Sequence, residues 1–216
     1  MEIKTKALLA CGAIACPLFI LVFLIEGITR SGYNAVRHPV SSLSIGEPGW
    51  IQVASFIITG SLLVFFAVGL RYKLAAHKGN VVAPLLIAAV AIGLIGAGIF
   101  TTDPVYGYPA DKPLLLTQLS IHGRLHVLFS IPVFLCLPAA CFVFSKRFSK
   151  TGEQGWAIYS LITGIVMFAT FILAGMGFKQ VTGLVDFAGL IQRLCIITGW
   201  TWITLLALHS LNTGTG

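Results

Sequence analysis

Residues 81–100 read VVAPLLIAAVAIGLIGAGIF, twenty positions without a charge or a polar side chain. Spanning a hydrocarbon core takes about 20 apolar residues in a helix, and a helix that is apolar all round belongs in lipid or a deep core. Within the run Ala89, Gly93 and Ala97 recur every four residues, the small-residue spacing that lets helix backbones approach closely in a membrane. Thr101-Thr102-Asp103-Pro104 follows at once, and Asp and Pro both favour a turn or helix stop. The stretch predicts a membrane helix closed by a polar segment.

Five further apolar runs flank it, at roughly 7–28, 51–70, 122–144, 156–176 and 190–209. Hydrophobic residues make up 57% of the 216 and charged residues 10%, against about 25% charged in an average soluble chain. Mean hydropathy is +0.94. The expected fold is all-α, a polytopic transmembrane bundle of about six helices forming one domain over 1–216, with no room for a separate soluble domain. The first run is longer than the 7–15-residue core of a signal peptide and no small-residue cleavage site follows it, so it reads as a retained helix. Pro132 and Pro138 should bend the fourth helix, since each removes a backbone hydrogen bond.

The net charge of +7 sits in short loops between apolar runs, where it sets orientation and meets anionic lipid; nucleic acid is not an expected partner. Lys4, Lys6, Arg71, Lys73, Lys78, Lys146, Arg147 and Lys150 fall on the side of the termini. Arg30, Arg37, Lys112, Arg124, Lys179 and Arg193 fall on the other. The positive-inside rule then places both termini in the cytoplasm of a cell (inner) membrane protein. Cys11, Cys16, Cys136, Cys141 and Cys195 all lie inside apolar runs, are odd in number and form no C-x-x-C, so neither a disulfide framework nor a redox motif is read.

The outer loops, about 29–50, 101–121 and 177–189, carry the Pro, aromatic, His and Asp residues, and irregular segments on rigid helices are where function concentrates. His122 and His126 are four apart at the start of the fourth helix, on one face. Two imidazoles so placed can share a divalent metal such as zinc, and Asp103 would add a third ligand. His38, within Arg37-His38-Pro39, and Ser42 stand in the first outer loop. His38, Ser42, Asp103, His122 and His126 are thus the candidate catalytic group. Equally, these residues are turn, cap and interface formers. Glu26 and Arg30, four apart, suit an intrahelical ion pair, and Asp186 is seven residues before Arg193, two turns along one face. Structural pairing comes first for both; otherwise Glu26, Arg30, Arg37, Arg124, Asp186 and Arg193 are candidate ligand-binding residues, the arginines for a phosphate or carboxylate headgroup. Haem is disfavoured. His122 and His126 share a face, and His209 lies about 24 Å from the level of Arg193 by helix rise. No phosphate-binding glycine loop is present.

Three motifs in order, Asn34-Ala-Val-Arg-His-Pro-Val-Ser-Ser-Leu-Ser-Ile-Gly-Glu-Pro-Gly-Trp50, Phe100-Thr-Thr-Asp-Pro104 and Ile121-His-Gly-Arg-Leu-His126, resemble the domain of unknown function 998 family of bacterial and archaeal membrane proteins. The likeness extends through most of the chain, to Leu190-Ile-Gln-Arg193. It implies a compact helix bundle with the three motifs together on one side, and it implies no activity. The inventory of Ser, Asp and three His also looks like that of the ceramidase and adiponectin-receptor hydrolases. This chain departs from them with six apparent spans and without a terminal His-x-x-x-His.

Two functions are open on this reading. One is an intramembrane enzyme, a metal-dependent hydrolase acting on lipid or another amphipathic substrate, whose metal-bound water would attack an ester or amide. The other is a non-catalytic bundle that binds lipid or a small hydrophobic ligand, or serves a membrane complex, with the polar cluster as a hydrogen-bonded lid. Transport ranks third, because no charge lies mid-helix along an evident path.

Overall fold

A computed structural model describes residues 3–75 and 81–213. Among them are six long helices, α1 (Ile3–Thr29), α2 (Gly49–Ala75), α3 (Val82–Ile99), α4 (Ile121–Lys150), α5 (Gln154–Phe178) and α6 (Ala188–Asn212). Short 3-10 turns at Val40–Ser44 and Val185–Phe187 precede α2 and α6. All six are long and apolar enough to cross a membrane, so the chain is a multi-pass membrane protein. Several helices outrun the apolar runs that predicted them, α2 through Ala75 and α4 through Lys150, because Lys and Arg sustain a helix as well as Leu does. α4 continues through both Pro132 and Pro138. Positions 76–80 of the basic segment expected at 71–80, with His77 and Lys78, lie outside the described residues.

Each helix packs on its neighbours in sequence, and α6 returns to α1. The six antiparallel helices therefore close a ring. Large side chains fill its middle, with Phe19, Phe23, Phe66, Met167, Trp200 and Trp202 all but sealed from solvent. The outside is apolar too, from Leu21 and Ile25 on α1 to Leu194 and Leu205 on α6, as lipid contact requires.

Glycine sets the closeness of five of the six seams. A Cβ at Gly12 of α1 would lie 2.6 Å from the Phe66 ring of α2, and one at Gly60 of α2 would meet Ala91 O of α3 at 2.8 Å. On α3, Gly93 faces Phe129 O of α4 at 2.6 Å; Gly164 of α5 faces Phe142 of α4 at 2.7 Å, and Gly199 of α6 faces Met167 of α5 at 2.5 Å. Without a hydrophobic drive between helices in lipid, such close approach supplies the packing energy. The Ala89-Gly93-Ala97 spacing marked one of these seams; Gly96, whose Cβ would sit 2.2 Å from the Phe129 ring, extends it.

Segments 30–48, 100–120 and 179–187 gather at one end of the ring, the loop-rich end. The described chain ends and the α4–α5 turn lie at the other.

Candidate functional site

At the loop-rich end, backbone from the first loop lies against the start of α6. A Cβ at Gly189 would be 2.4 Å from His38 O and 2.8 Å from Ala35 O, so only glycine admits this approach. Leu190 N donates to Val36 O at 2.8 Å, and Val40 N donates to Gln192 Oε1 at 2.9 Å. Arg193, 5% exposed, completes the join. Its guanidinium donates to Ala35 O (2.5 Å), His38 O (3.0 Å), Gly189 O (3.1 Å) and the Tyr33 hydroxyl (2.5 Å). It also lies over the rings of Phe23 and Tyr33. This buried cation is held by carbonyl dipoles and aromatic faces.

The pairing of Arg193 with Asp186 expected from spacing is therefore corrected. Asp186 sits in the 3-10 turn ahead of α6 and is exposed, while the guanidinium turns inward to loop carbonyls. The Glu26–Arg30 pair does form, at 2.5 Å, with both side chains largely buried. Arg30 also donates to Ile45 O at 2.8 Å, tying α1 to the turn before α2. Arg37 is half-buried and its Nε has no protein partner. Arg124 is exposed.

The two histidines of α4 part company. His126 is buried, and its Nδ1 lies 3.0 Å from Ala97 O and 2.8 Å from Phe100 O. Two carbonyl partners require the proton on Nδ1, which leaves Nε2 as the acceptor of the neutral ring. These carbonyls belong to the end of α3, where backbone acceptors run out of helical donors. His122, one turn away, is exposed with its edge on Phe100. Asp103 covers the first turn of α4: its Oδ2 accepts from Ser120 N at 2.8 Å, and a Cβ at Gly123 would fall 2.0 Å from that oxygen. A carboxylate over a helix N-terminus is a favourable placement in itself. Ser120 Oγ accepts from Gly123 N at 3.0 Å and caps the helix.

His122, His126 and Asp103 are consequently not gathered as the expected ligand group. Among the described residues no three His, Cys, Asp or Glu side chains gather as a ligand group, because His122 points outward while Nδ1 of His126 is bound to the end of α3. His38 is buried between Tyr33 and Tyr108. Its Nδ1 accepts from Asn34 N at 3.0 Å. Burial, with Arg37 and Arg193 close by, holds its pKa below the usual imidazole value, so the ring is neutral at neutral pH. Ser42 is fully buried and its hydroxyl has no protein partner; no histidine is hydrogen-bonded to it.

Beneath this lid lies a cavity of about 270 Å³ to which every helix contributes, with Phe19, Phe56, Leu94, His126, Phe171 and Trp200 as examples. Val127 and Ile131 of α4, half-exposed on the outside of the ring, line it as well. The cavity thus reaches the lipid-facing surface. Phe134 and Phe171, stacked at 5.0 Å, also line it and join α4 to α5. Its polar side chains are Ser41, Thr102, Tyr106, His126, Ser130 and Gln192, with Trp200 also on the wall. Of these, only His126 is among the candidate site residues legible in the sequence, with Ser41 next to the candidate Ser42. Tyr106 shows a conformational mark only in the structure, a φ of 64°, and Trp200 is one apolar residue among many in its helix.

A family model described as protein of unknown function DUF998 matches residues 13–209, and the three loop motifs that carried the resemblance meet at this end. The chain belongs to the DUF998 family. No curated protein and no solved structure matches it. For this DUF998 chain the division of labour between the histidines gives a direct expectation. His126→Ala leaves two carbonyls at the end of α3 without their imidazole donor, at a cost of about 1–3 kcal/mol, whereas His122→Ala stays within about 0.5 kcal/mol as a surface change. Thermal unfolding in detergent checks both; equal losses would contradict the assignment.

Proposed function

We propose that this chain is a ligand-binding membrane bundle that takes the apolar part of a lipid or other amphipathic small molecule into its six-helix cavity. The observation that carries the proposal is the cavity itself, apolar on most of its wall, reaching the lipid-facing surface past Val127 and Ile131, with Ser41, Tyr106, His126 and Gln192 as polar contacts. Ligand pockets combine apolar walls with a few placed polar groups and run to about 300–1,000 Å³. A cavity near the lower end suits a chain segment or compact amphipath, with the remainder of the molecule lying in the bilayer.

Binding takes precedence over hydrolysis for a chemical reason. An activated serine needs a base within hydrogen-bond reach, and Ser42 has no such partner. Two of the four arginines offered as headgroup binders, Arg30 and Arg193, are also engaged, with Glu26 and loop carbonyls. The basic residues Arg71, Lys73, Lys146, Arg147 and Lys150 at the other end support a cytoplasmic placement of that end in the inner membrane. The lid and cavity then belong to the outer leaflet.

Native mass spectrometry of protein released gently from detergent tests the proposal. Wild type is expected to retain an amphipathic molecule, and Val127→Trp, which places an indole in the cavity wall, to weaken retention at least tenfold, or about 1.4 kcal/mol. Retention that is equal in both, or absent from wild type, would refute cavity binding.

A further inference from the structure

Among the described residues, no Asp, Glu, Lys or Arg side chain lines the six-helix cavity. The buried ionised groups of the loop-rich end are engaged elsewhere: Glu26 with Arg30, Asp103 with Ser120 N, and Arg193 with the loop carbonyls. A charged group drawn into the cavity would therefore shed water without meeting a counter-ion, which is costly for either sign.

The polar groups that do line the cavity have fixed roles. His126 turns Nδ1 to Ala97 O and Phe100 O, 3.0 and 2.8 Å away, so its other nitrogen, Nε2, is an acceptor. Nε2 has no partner among the described residues, and it is not one of the side-chain atoms sealed from solvent. Gln192 is fixed the other way. Its Oε1 accepts from Val40 N at 2.9 Å, and its amide N–H groups are left to donate. The hydroxyls of Ser41, Thr102 and Tyr106, all half-buried, can do either.

These groups gather at one end. Ser41, Thr102 and Tyr106 belong to the lid, while His126 and Gln192 stand in the second turns of α4 and α6. Further in, Ser130 returns its hydroxyl to His126 O at 2.8 Å. The deep wall is apolar. Phe134 lies eight residues beyond His126 and Trp200 eight beyond Gln192, each about 12 Å deeper by helix rise. Phe171 stacks on Phe134 there. A cavity polar under its lid and apolar below takes an amphipath head-up, with its chain toward the middle of the bilayer.

We infer that the polar group of the ligand is uncharged and carries a hydrogen-bond donor, the class of long-chain alcohols and glycerol esters with a free hydroxyl. The hydroxyl donates to His126 Nε2, the Gln192 amide and the lid hydroxyls meet the oxygens of the head, and the chain lies among Phe134, Phe171 and Trp200. A carboxylate or phosphate offers only acceptors to the acceptor Nε2 and finds no cation on the wall. An ether is neutral but has no proton to give. This inference rests on the proposed cavity binding and narrows it from amphipaths in general to one class.

Three probes with one chain, oleyl alcohol, oleyl methyl ether and oleyl phosphate, test it by competition for the full-length protein in native mass spectrometry. Wild type is expected to retain the alcohol at least about tenfold better than either of the others, the worth of one hydrogen bond or one uncompensated charge. His126→Phe keeps a flat ring in the wall without the acceptor and is expected to bind alcohol and ether alike. The wild-type series decides the ligand class even if His126→Phe is too unstable to purify. Retention of the phosphate or the ether as strongly as the alcohol overturns the neutral-donor class and leaves cavity binding standing. Retention of none of the three overturns both. A preference for alcohol over ether that survives in His126→Phe overturns the assignment of the acceptor to His126.

Discussion

Arg193→Ala is expected to lower the unfolding midpoint in detergent by on the order of 10 °C, the largest effect of any single polar substitution in this chain. The side chain donates to three carbonyls and one hydroxyl from a position 5% exposed. Its loss leaves Ala35 O and the acceptor side of Tyr33 Oη against α6 with no replacement donor, and His38 O with only the 3.2 Å bond from the Tyr33 hydroxyl. Hydrogen bonds from a charged group contribute about 1.5–3 kcal/mol each, and orphaned partners add their own cost; with non-additivity a total of about 3–5 kcal/mol is reasonable. Arg193→Lys should recover only part, since a point charge cannot reproduce the planar fork. Asp186→Ala is the matched control and should stay within about 0.5 kcal/mol, because Asp186 is exposed and Arg193 does not use it. Equal losses in Arg193→Ala and Asp186→Ala would mean that the lid is held by something other than this guanidinium.

Gly93→Leu should be comparably damaging, for a reason of volume. A Cβ there would lie 2.6 Å from Phe129 O, 3.1 Å from Val133 Cγ2 and 3.4 Å from Pro132 Cβ. The nearest obstacle is helix backbone, which cannot rotate aside, so α3 and α4 must part. Overpacking of this kind costs about 1–3 kcal/mol and sometimes more, and separation of the two helices would also stretch the bonds from His126 to Ala97 O and Phe100 O. Gly175→Ala on α5 has nothing within 4 Å and gains helix propensity of up to about 1 kcal/mol. Opposite signs of the Tm shift for the two glycines are the expected result. A neutral Gly93→Leu would show that the α3–α4 seam is looser than its geometry.

Much of the architecture could be read without coordinates, since its cause is local. An uncharged twenty-residue run has one stable home, a helix in lipid, and six such runs joined by short loops must cross back and forth. The Glu26–Arg30 pair was legible for the same reason: a spacing of four on one helix brings two side chains together whatever surrounds it. The limits of locality show at His122 and His126, which periodicity places on one face. One turn of helix carries the first out to the surface, while the second meets the carbonyl ends of α3. Asp186 and Arg193 were linked by helix spacing, but Asp186 precedes α6 in a 3-10 turn, and the guanidinium found better partners in a loop some 155 residues earlier in the chain.

The amino-acid order alone settled that this is a six-helix membrane protein with its irregular, polar segments at one end, because hydropathy and turn chemistry act within a few residues. Packing of the ring decided which polar groups meet carbonyls, which are left without partners, and where all six helices leave a cavity that reaches the lipid-facing surface. Those outcomes depend on contacts between residues far apart in the chain, and no local pattern encodes them.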